Sequence, residues 1–350
     1  DINNIPVLPL GTVTVEETKA ADGYTLVGGY IQIEGTSEKL TGKYVAQIKN
    51  NQDGAFLVGG NQYTGVNYPV PDLSTKAKEA VNGTQSAKVS NNVKLVDTSM
   101  MEKLVVGETY ELRTSLINKS TGQSINTVDG KSQISTTFTA TSKAMNIDTE
   151  MTIDASDLSG CDVVFYEELY FRGTLVTEHK DIDAAGQTIH FSEIGTTALD
   201  KDTNDHVSNA AENMTIIDTV AYKNLEVGKT YTVTGILMDK ETGKAALDDA
   251  GKEIKSNTTF TATSINGTVD VVFSFSGVKL KGKTLVAFES VSSDGVEYAV
   301  HANINDEGQS IHIPEIHTTA LDKSSGNHLE ISISSYVDTL MGIDSSGNII

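Results

Sequence analysis

The stretch that decides the fold class is Thr230-Tyr231-Thr232-Val233-Thr234-Gly235-Ile236-Leu237. Polar and apolar residues alternate along it, and most of them are β-branched or aromatic, which is the pattern of a half-buried β-strand. The run Val269-Asp270-Val271-Val272-Phe273-Ser274-Phe275 has the same character. Gly- and Asp-rich turns separate such runs, and no stretch has a convincing helical period. We therefore predict an all-β fold.

The chain contains an internal repeat with a period of 121 to 122 residues. Whole phrases recur at matched positions in its copies. The paired phrases are Leu104-Val105-Val106-Gly107-Glu108-Thr109-Tyr110 with Leu225-Glu226-Val227-Gly228-Lys229-Thr230-Tyr231, Thr136-Thr137-Phe138-Thr139-Ala140 with Thr258-Thr259-Phe260-Thr261-Ala262, and Gly186-Gln187-Thr188-Ile189-His190 with Gly308-Gln309-Ser310-Ile311-His312. Several short strands in a repeat of about 120 residues are typical of an immunoglobulin-like β-sandwich.

The repeat predicts how the chain divides into domains. We expect two complete sandwich modules in tandem, residues 72–193 and residues 194–315, followed by the truncated start of a third repeat at residues 316–350. Residues 1–71 do not match the repeat and end in Tyr68-Pro69-Val70-Pro71, a natural boundary.

Composition excludes several classes of function. The 350 residues carry a formal net charge of −21, which repels nucleic acid and anionic membranes. No run approaches the roughly 20 apolar residues that span a bilayer, so we expect no membrane insertion in this segment. Any signal peptide or anchor is expected outside it. The single cysteine, Cys161, excludes an intrachain disulfide.

Five polar positions recur with matched spacing in both complete copies. They are Thr75, Asp97, Glu167, His179 and Gln187 in the first copy, and Thr196, Asp218, Glu289, His301 and Gln309 in the second. In both copies the Thr and Asp are 22 residues apart, the Glu and His 12, and the His and Gln 8. The turns between them match poorly, so the polar set is more alike than its surroundings.

The residue types of this set suit acyl transfer. Glu167 and Glu289 lie in apolar strands, where burial favours the protonated carboxyl. A neutral carboxylic acid can donate to a carbonyl, while a His can accept a hydroxyl proton. With Thr as nucleophile and the Gln carboxamide as electrophile, the reaction would expel ammonia and leave a side-chain ester.

The phrase Val286-Ala287-Phe288-Glu289 resembles the motif of bacterial Thr-Gln ester-bond domains, also called VaFE repeats, and the resemblance covers residues 72–350. It implies that a Thr on the first strand is joined to a Gln on the last, with an Asp–Glu pair sharing a proton near the carbonyl and a His as base. The implied crosslinks are Thr75 with Gln187 and Thr196 with Gln309, the implied acid pairs are Asp97 with Glu167 and Asp218 with Glu289, and the implied bases are His179 and His301.

The first copy departs from the family pattern at two places. The family has an Asp five residues after the His, which Asp306 matches, whereas the first copy has Ala184 there and Asp183 one place earlier. The first copy also has Lys76 after its Thr. We choose Thr75 as its nucleophile because of the 22-residue spacing to Asp97.

The amino-terminal segment resembles the end of a Cna-B or pilin-like domain, in which Val15-Glu16-Glu17-Thr18-Lys19-Ala20 precedes Gly23-Tyr24. That resemblance implies that Glu17 assists a Lys–Asn isopeptide bond. The upstream strand that would carry the Lys is missing from this sequence.

Together these features predict a structural stalk of a cell-wall-anchored surface adhesin of a Gram-positive bacterium, extracellular, with a distal region binding a host or matrix ligand. Each module would react once, without enzymatic turnover. We expect no cofactor and no metal, because no His or Cys has metal-ligand spacing.

Three alternatives remain open. The shared polar residues could serve only turns and strand edges. The Thr, His and acid set could be a hydrolase site for an external substrate. The modules could also bind a ligand without crosslinks, although 6% aromatic residues and no Trp disfavour sugar stacking.

Overall fold

A computed structural model of the chain describes residues 12–13, 18–33, 37, 39–41, 48–50, 56–57 and 63–316. These residues form twenty-five strands and three short 3-10 helices, which confirms the prediction of an all-β fold. Among them, no helix is long and apolar enough to cross a lipid bilayer.

The amino-terminal part contributes two antiparallel three-stranded sheets, ordered β1-β4-β5 and β3-β2-β6. Their strands are β1 (Thr12–Val13), β2 (Tyr24–Ile33), β3 (Lys39–Thr41), β4 (Ile48–Asn50), β5 (Phe56–Leu57) and β6 (Tyr63–Pro69). Tyr68 of β6 packs edge-on against the Phe171 ring, with ring centroids 5.7 Å apart. This segment therefore packs onto the sandwich that follows it.

The first module is a sandwich of a three-stranded sheet, β13-β9-β7, and a larger sheet built on β10 and β14. Its elements are β7 (Asp72–Glu79), β8 (Ser86–Ala87), β9 (Val93–Glu102), β10 (Thr109–Asn118), β11 (Ser124–Ile125), β12 (Ile134–Thr139), β13 (Met145–Ile153), β14 (Asp162–Phe171), β15 (Thr174–His179), the 3-10 helix η1 (Ala185–Gln187) and β16 (Thr188–Phe191). In the larger sheet β11 and β12 flank β10, β15 and β16 flank β14, and β8 runs parallel to β16.

The second module repeats this plan with sheets β17-β18-β22 and β20-β19-β23-β24, to which β21 and β25 are added beside β19 and β23. Its elements are β17 (Glu193–Asp200), β18 (Met214–Lys223), β19 (Thr230–Asp239), β20 (Lys244–Ala245), β21 (Lys255–Thr261), β22 (Gly267–Phe275), the 3-10 helix η2 (Val278–Leu280), β23 (Thr284–Ser293), β24 (Val296–His301), the 3-10 helix η3 (Glu307–Gln309) and β25 (Ser310–His312).

Strand alternation decides which side chains enter the space between the sheets. Along β14, Phe165 and Leu169 are fully buried, and Glu167 lies between them on the same face. Along β23, Ala287 and Val291 flank Glu289 in the same way. The apolar pattern of each strand thus carries one carboxyl into the core.

The modules are joined through a single residue, Ser192, which lies between β16 and β17 and is fully buried. Its Oγ donates to the carbonyl of Asn224 at 3.1 Å, and the Asn224 amide donates to the carbonyl of Phe191 at 3.2 Å. Asn224 has φ of 58°, a left-handed conformation that Asn tolerates better than most residues. Asn224 of the second module is therefore hydrogen-bonded both to Ser192 and to Phe191, the last residue of β16.

The two sheets of the second module approach closely at Gly235. A Cβ there would lie 2.6 Å from Cζ of Phe273. The residues at the matched positions of the first module are Thr114 and Met151. The missing side chain of Gly235 therefore leaves room for the Phe273 ring.

Gly235→Ala should destabilise the second module by about 1–3 kcal/mol, because the rigid Phe273 ring must move. Adding Phe273→Met should remove part of that loss, since Met can bend away. Urea unfolding followed by circular dichroism measures both variants. Additive effects of the two substitutions would contradict the direct contact.

Candidate functional site

The five predicted positions of the second module meet between its two sheets. Thr196 lies on β17, Asp218 on β18, Glu289 on β23, His301 at the end of β24 and Gln309 at the end of η3. Across β17 and β18, Asp218 pairs with Ala198, two residues beyond Thr196, so the Thr and Asp side chains share one face. Glu289 is directly opposite His301. Sheet register therefore assembles residues that are far apart in sequence.

The side chain of Gln309 lies in contact with both Thr196 and Glu289. Its Nε2 donates to Glu289 Oε2 at 2.5 Å and also donates to Thr196 Oγ1. The Thr196 hydroxyl donates to the same Glu289 oxygen at 3.1 Å. Gln309 is fully buried, and Glu289 is 2% exposed. Hydroxyl, carboxamide and carboxyl thus form one triangle away from solvent.

Asp218 and Glu289 form a buried acid pair. Burial raises the pKa of Glu289 to about 10, and the charge of the neighbouring Asp218 carboxyl contributes to this rise. Burial also raises the pKa of Asp218 to about 6, although Glu289, Thr196 and the charge of His301 partly oppose the rise. The pair therefore holds a proton at neutral pH.

Three oxygens of this pair accept no hydrogen bond from any donor in the described part of the chain. They are both carboxyl oxygens of Asp218 and Oε1 of Glu289. Buried acceptors are rarely left unpaired. One proton shared between Asp218 and Glu289 would satisfy two of them, in agreement with the raised pKa values.

Asp306 holds both His301 and the turn that carries Gln309. The Nε2 atom of His301 is 2.9 Å from Asp306 Oδ2, and its Nδ1 is 3.4 Å from the carbonyl of Ile194 on the strand of Thr196. The other oxygen of Asp306 accepts from Gly308 N at 2.8 Å and caps η3. Both ring nitrogens face acceptor oxygens, and a neutral ring can donate to only one of them.

The first module brings together the matching set. Gln187 Nε2 donates to Glu167 Oε2, and Glu167 is opposite His179 in the sheet. Asp97 and Glu167 are fully buried, and burial raises their pKa values to about 6 and about 10 respectively. The Thr75 hydroxyl is buried and has no hydrogen-bond partner among the described residues.

The comparison with known families agrees with this duplicated geometry. A sequence model described as "T-Q ester bond containing domain" matches residues 71–191 and residues 192–313. The chain belongs to this family. It carries two T-Q ester bond containing domains in tandem.

Solved structures also resemble the chain, at low identity. One is a bacterial adhesin from Mobiluncus mulieris containing intramolecular disulfide, isopeptide and ester bond cross-links, at 14% identity over 63% of this chain and 80% of that one, with a TM-score of 0.31. Another is the C-terminal domain of the Streptococcus pyogenes antigen I/II-family protein AspA, at 6% identity over 66% of this chain and 98% of that one, with a TM-score of 0.37. No curated protein matches the chain.

One predicted residue of the first T-Q domain lies away from the cluster. The Asp183 side chain is 86% exposed and 3.8 Å from Lys119 Nζ, and it makes no hydrogen bond to His179. At the position matching Asp306 is Ala184, which gives η1 no side-chain cap. Within the described residues, His179 Nδ1 is buried without a partner. The sequence offset of Asp183 therefore goes with a position away from the His179 ring.

Sequence reasoning missed three buried hydroxyls of the first T-Q domain. Ser99 donates to Asp97 Oδ2 at 3.1 Å, and Thr114 donates to Thr149 at 3.3 Å. Thr149 is opposite Asp97 in the sheet, and Thr114 is opposite Glu167. The signal for Ser99 was its position two residues after Asp97, which places both on one strand face.

Two predictions lie outside the described residues. One is Glu17, the proposed helper of an isopeptide bond, and the other is the expected third repeat, of which residues 317–350 are not described. No group of three His, Cys, Asp or Glu side chains within the described ranges is placed to hold a metal ion.

The raised pKa of Glu289 should make the second T-Q domain less stable as pH rises. The folded chain holds this proton more tightly than the unfolded chain, so the free energy of unfolding falls between about pH 4.5 and about pH 10. In a Thr196→Ala background, Glu289→Gln should remove this fall, which is at most about 1.4 kcal/mol per pH unit. Urea unfolding at several pH values measures the slope.

The matched control is Glu212→Gln, which removes a carboxylate at an exposed site of the same T-Q domain. It should leave the slope unchanged. Equal slopes for Glu289→Gln and its parent would contradict a buried, protonated Glu289.

Proposed function

We propose that each T-Q domain forms an intramolecular ester, between Thr75 and Gln187 in the first and between Thr196 and Gln309 in the second. The proposal rests above all on one observation. The Gln309 carboxamide contacts both the Thr196 hydroxyl and a buried carboxyl of raised pKa. Nucleophile and electrophile are thus held in contact before reaction, which removes most of the entropic cost of meeting.

The reaction forms one bond and breaks one. Thr196 Oγ1 attacks Cδ of Gln309, the hydroxyl proton passes to a base, and the tetrahedral intermediate expels the nitrogen as ammonia with that proton. A C–O bond replaces a C–N bond, and no water or cofactor is consumed. The base nearest to β17 is His301, whose ring contacts the carbonyl of Ile194, two residues before Thr196 on that strand.

Glu289 supplies the proton that the carbonyl needs. Oε1 of Gln309 accepts no hydrogen bond from the described residues. Turning the carboxamide over about its Cγ–Cδ bond brings this oxygen to the Glu289 carboxyl, which is protonated at neutral pH. An O–H donor there stabilises the charge that develops on the carbonyl oxygen.

The same burial argues against a hydrolase that acts on external substrates. Asp218 and Gln309 have no exposed surface, and Glu289 has almost none. A substrate from solution would have to displace Gln309 to reach the acid pair. The chemistry is therefore a single event within each T-Q domain, not enzymatic turnover.

The position of the ester suits a load-bearing stalk. β17 follows the first T-Q domain after a single residue, and β25 is the last described strand of the second. An ester between Thr196 and Gln309 would join these two ends of the domain, so tension would pass through a covalent bond instead of through sheet hydrogen bonds. It would also close a chain separation of 113 residues.

We further propose that the chain belongs to an extracellular, cell-wall-anchored adhesin of a Gram-positive bacterium, in which neighbouring modules form the stalk and a distal region binds a host or matrix ligand. Its family, its tandem modules and its short buried junction support a stalk. A net charge of −21 and a single Cys fit a secreted chain that is stabilised without disulfides.

Intact mass spectrometry of the purified chain tests the esters directly. The mass should be lower than that of the sequence by two molecules of ammonia, and by only one in Thr196→Ala. The second T-Q domain of that variant should also be less resistant to heat and protease. Closing a loop of this length contributes up to about 5 kcal/mol to the free energy of unfolding.

Thr197→Ala is the matched control, because Thr197 is the exposed neighbour of Thr196 on the same strand. It should keep both losses of ammonia. An unmodified mass for the wild-type chain would refute the proposal.

Asp306→Ala should slow or prevent ester formation in the second T-Q domain, because both the His301 ring and the η3 turn lose their anchor. The exposed Asp183, changed to Ala, should leave the first ester intact. Digestion followed by quantification of the linked peptides measures each ester separately. Equal effects of the two substitutions would contradict the assigned role of Asp306.

A further inference from the structure

The two T-Q domains surround their acid pairs differently. Opposite its reactive Thr, the first has Ser99 and the second has Val220. Opposite its Asp, the first has Thr149 and the second has Val271. The first domain therefore surrounds its Asp with hydroxyls, and the second with methyl groups.

Ser99 contacts the acid pair directly. It is fully buried, and its hydroxyl donates to Asp97 Oδ2 at 3.1 Å. Only Oδ1 of Asp97 then remains without a partner among the described residues, facing an acid pair in which Oε1 of Glu167 is also unpaired. In the second domain both oxygens of Asp218 are unpaired. Since Oδ2 already accepts from Ser99, Oδ1 is the Asp97 oxygen left to face the shared proton.

We propose that Ser99 is a positioning residue for ester formation in the first domain, fixing the Asp97 carboxylate so that the shared proton lies on Glu167, beside Gln187. This inference rests on the proposed ester reaction. Ser99 acts through Asp97 and does not touch the reacting carboxamide.

The two domains fix different members of the same machinery. In the second, Asp306 holds His301, and the position of Ser99 is taken by Val220, which has no hydroxyl to donate to Asp218. In the first, His179 has no such anchor, and Ser99 holds the Asp instead. A neighbouring side chain therefore orients the Asp in the first domain and the His in the second.

The groups that face Asp97 determine how Ser99 should affect the pH dependence. Glu167 comes from β14, His179 from β15, Thr75 from β7 and Thr149 from β13. All of these remain when Ser99 is changed. A hydroxyl that donates to a carboxylate favours its ionised form, so losing it raises the pKa of Asp97. Because the reacting pair holds one proton, the acidic limb of the rate profile follows Asp97.

An isosteric pair of substitutions separates positioning from packing. Ser99→Val has no hydroxyl and introduces the residue type that the second domain has at this position, whereas Ser99→Thr has the same shape and keeps the hydroxyl. Any effect of bulk is common to both. An effect of the hydrogen bond appears only in the Val variant.

The full chain is recovered from inclusion bodies in denaturant, so that it has not yet folded and its mass shows no loss of ammonia. It is then diluted into buffers between about pH 5 and about pH 9, a range that spans the raised Asp pKa of about 6. Samples are quenched and digested, and the linked peptide of each domain is quantified, with folding followed in parallel by circular dichroism. The second domain of each molecule is the internal reference.

Ser99→Val should move the acidic limb of the first domain to higher pH and slow its reaction below it by roughly tenfold per unit of pKa shift. Ser99→Thr should retain the wild-type profile. Identical profiles for the Val and Thr variants would overturn the inference.

Val220→Thr provides a second test that does not depend on how Ser99 variants fold. It offers Asp218 the hydroxyl that Asp97 has, and should move the acidic limb of the second domain to lower pH. An unmoved limb would also overturn the inference. If the wild-type chain forms no ester in either domain, the proposed function itself fails. If it does form them, only the role of Ser99 is at stake.

Discussion

Two carboxyls lie side by side between the sheets of each T-Q domain, and their burial constrains everything around them. Two ionised carboxylates in that position would lose their hydration and repel each other, at a cost of several kcal/mol. The pair avoids this by keeping a proton, and burial accordingly raises the pKa of Glu167 and Glu289 to about 10. An acid that stays protonated at neutral pH is what an amide carbonyl needs in order to be attacked by a weak nucleophile.

The sandwich architecture is what makes this burial possible. The Asp is on the middle strand of the three-stranded sheet, and the Glu is on a central strand of the larger sheet. Neither strand is at the edge of its sheet, and both carboxyls are buried. The reactive Thr and Gln, in contrast, lie on the first strand and just before the last strand of each domain. The proposed ester would therefore form in the centre of the domain and join its two ends.

Much of this arrangement follows from the sequence, because strand alternation and spacing are local rules. They gave the all-β fold, the burial of Glu167 and Glu289, and the grouping of Thr, Asp, Glu, His and Gln. Contacts that depend on the exact path of a turn did not follow. Asp183 and Asp306 are close in alignment, yet one is exposed to solvent and the other holds a His ring. Ser99 was missed because strand alternation places it on the same face as Asp97 but does not predict a hydrogen bond between them.

The polar content of the site also indicates why the reaction should be favourable once the domain has folded. Before it, the core contains a carboxamide with two N–H donors and a hydroxyl donor, crowded around one oxygen of Glu289. An ester has no donors, and the ammonia that leaves is hydrated in bulk water. Buried donors, two of which share the same Glu289 oxygen, would therefore be replaced by a group that is easier to bury. Folding brings the reactants together, and the product relieves a penalty that folding itself created.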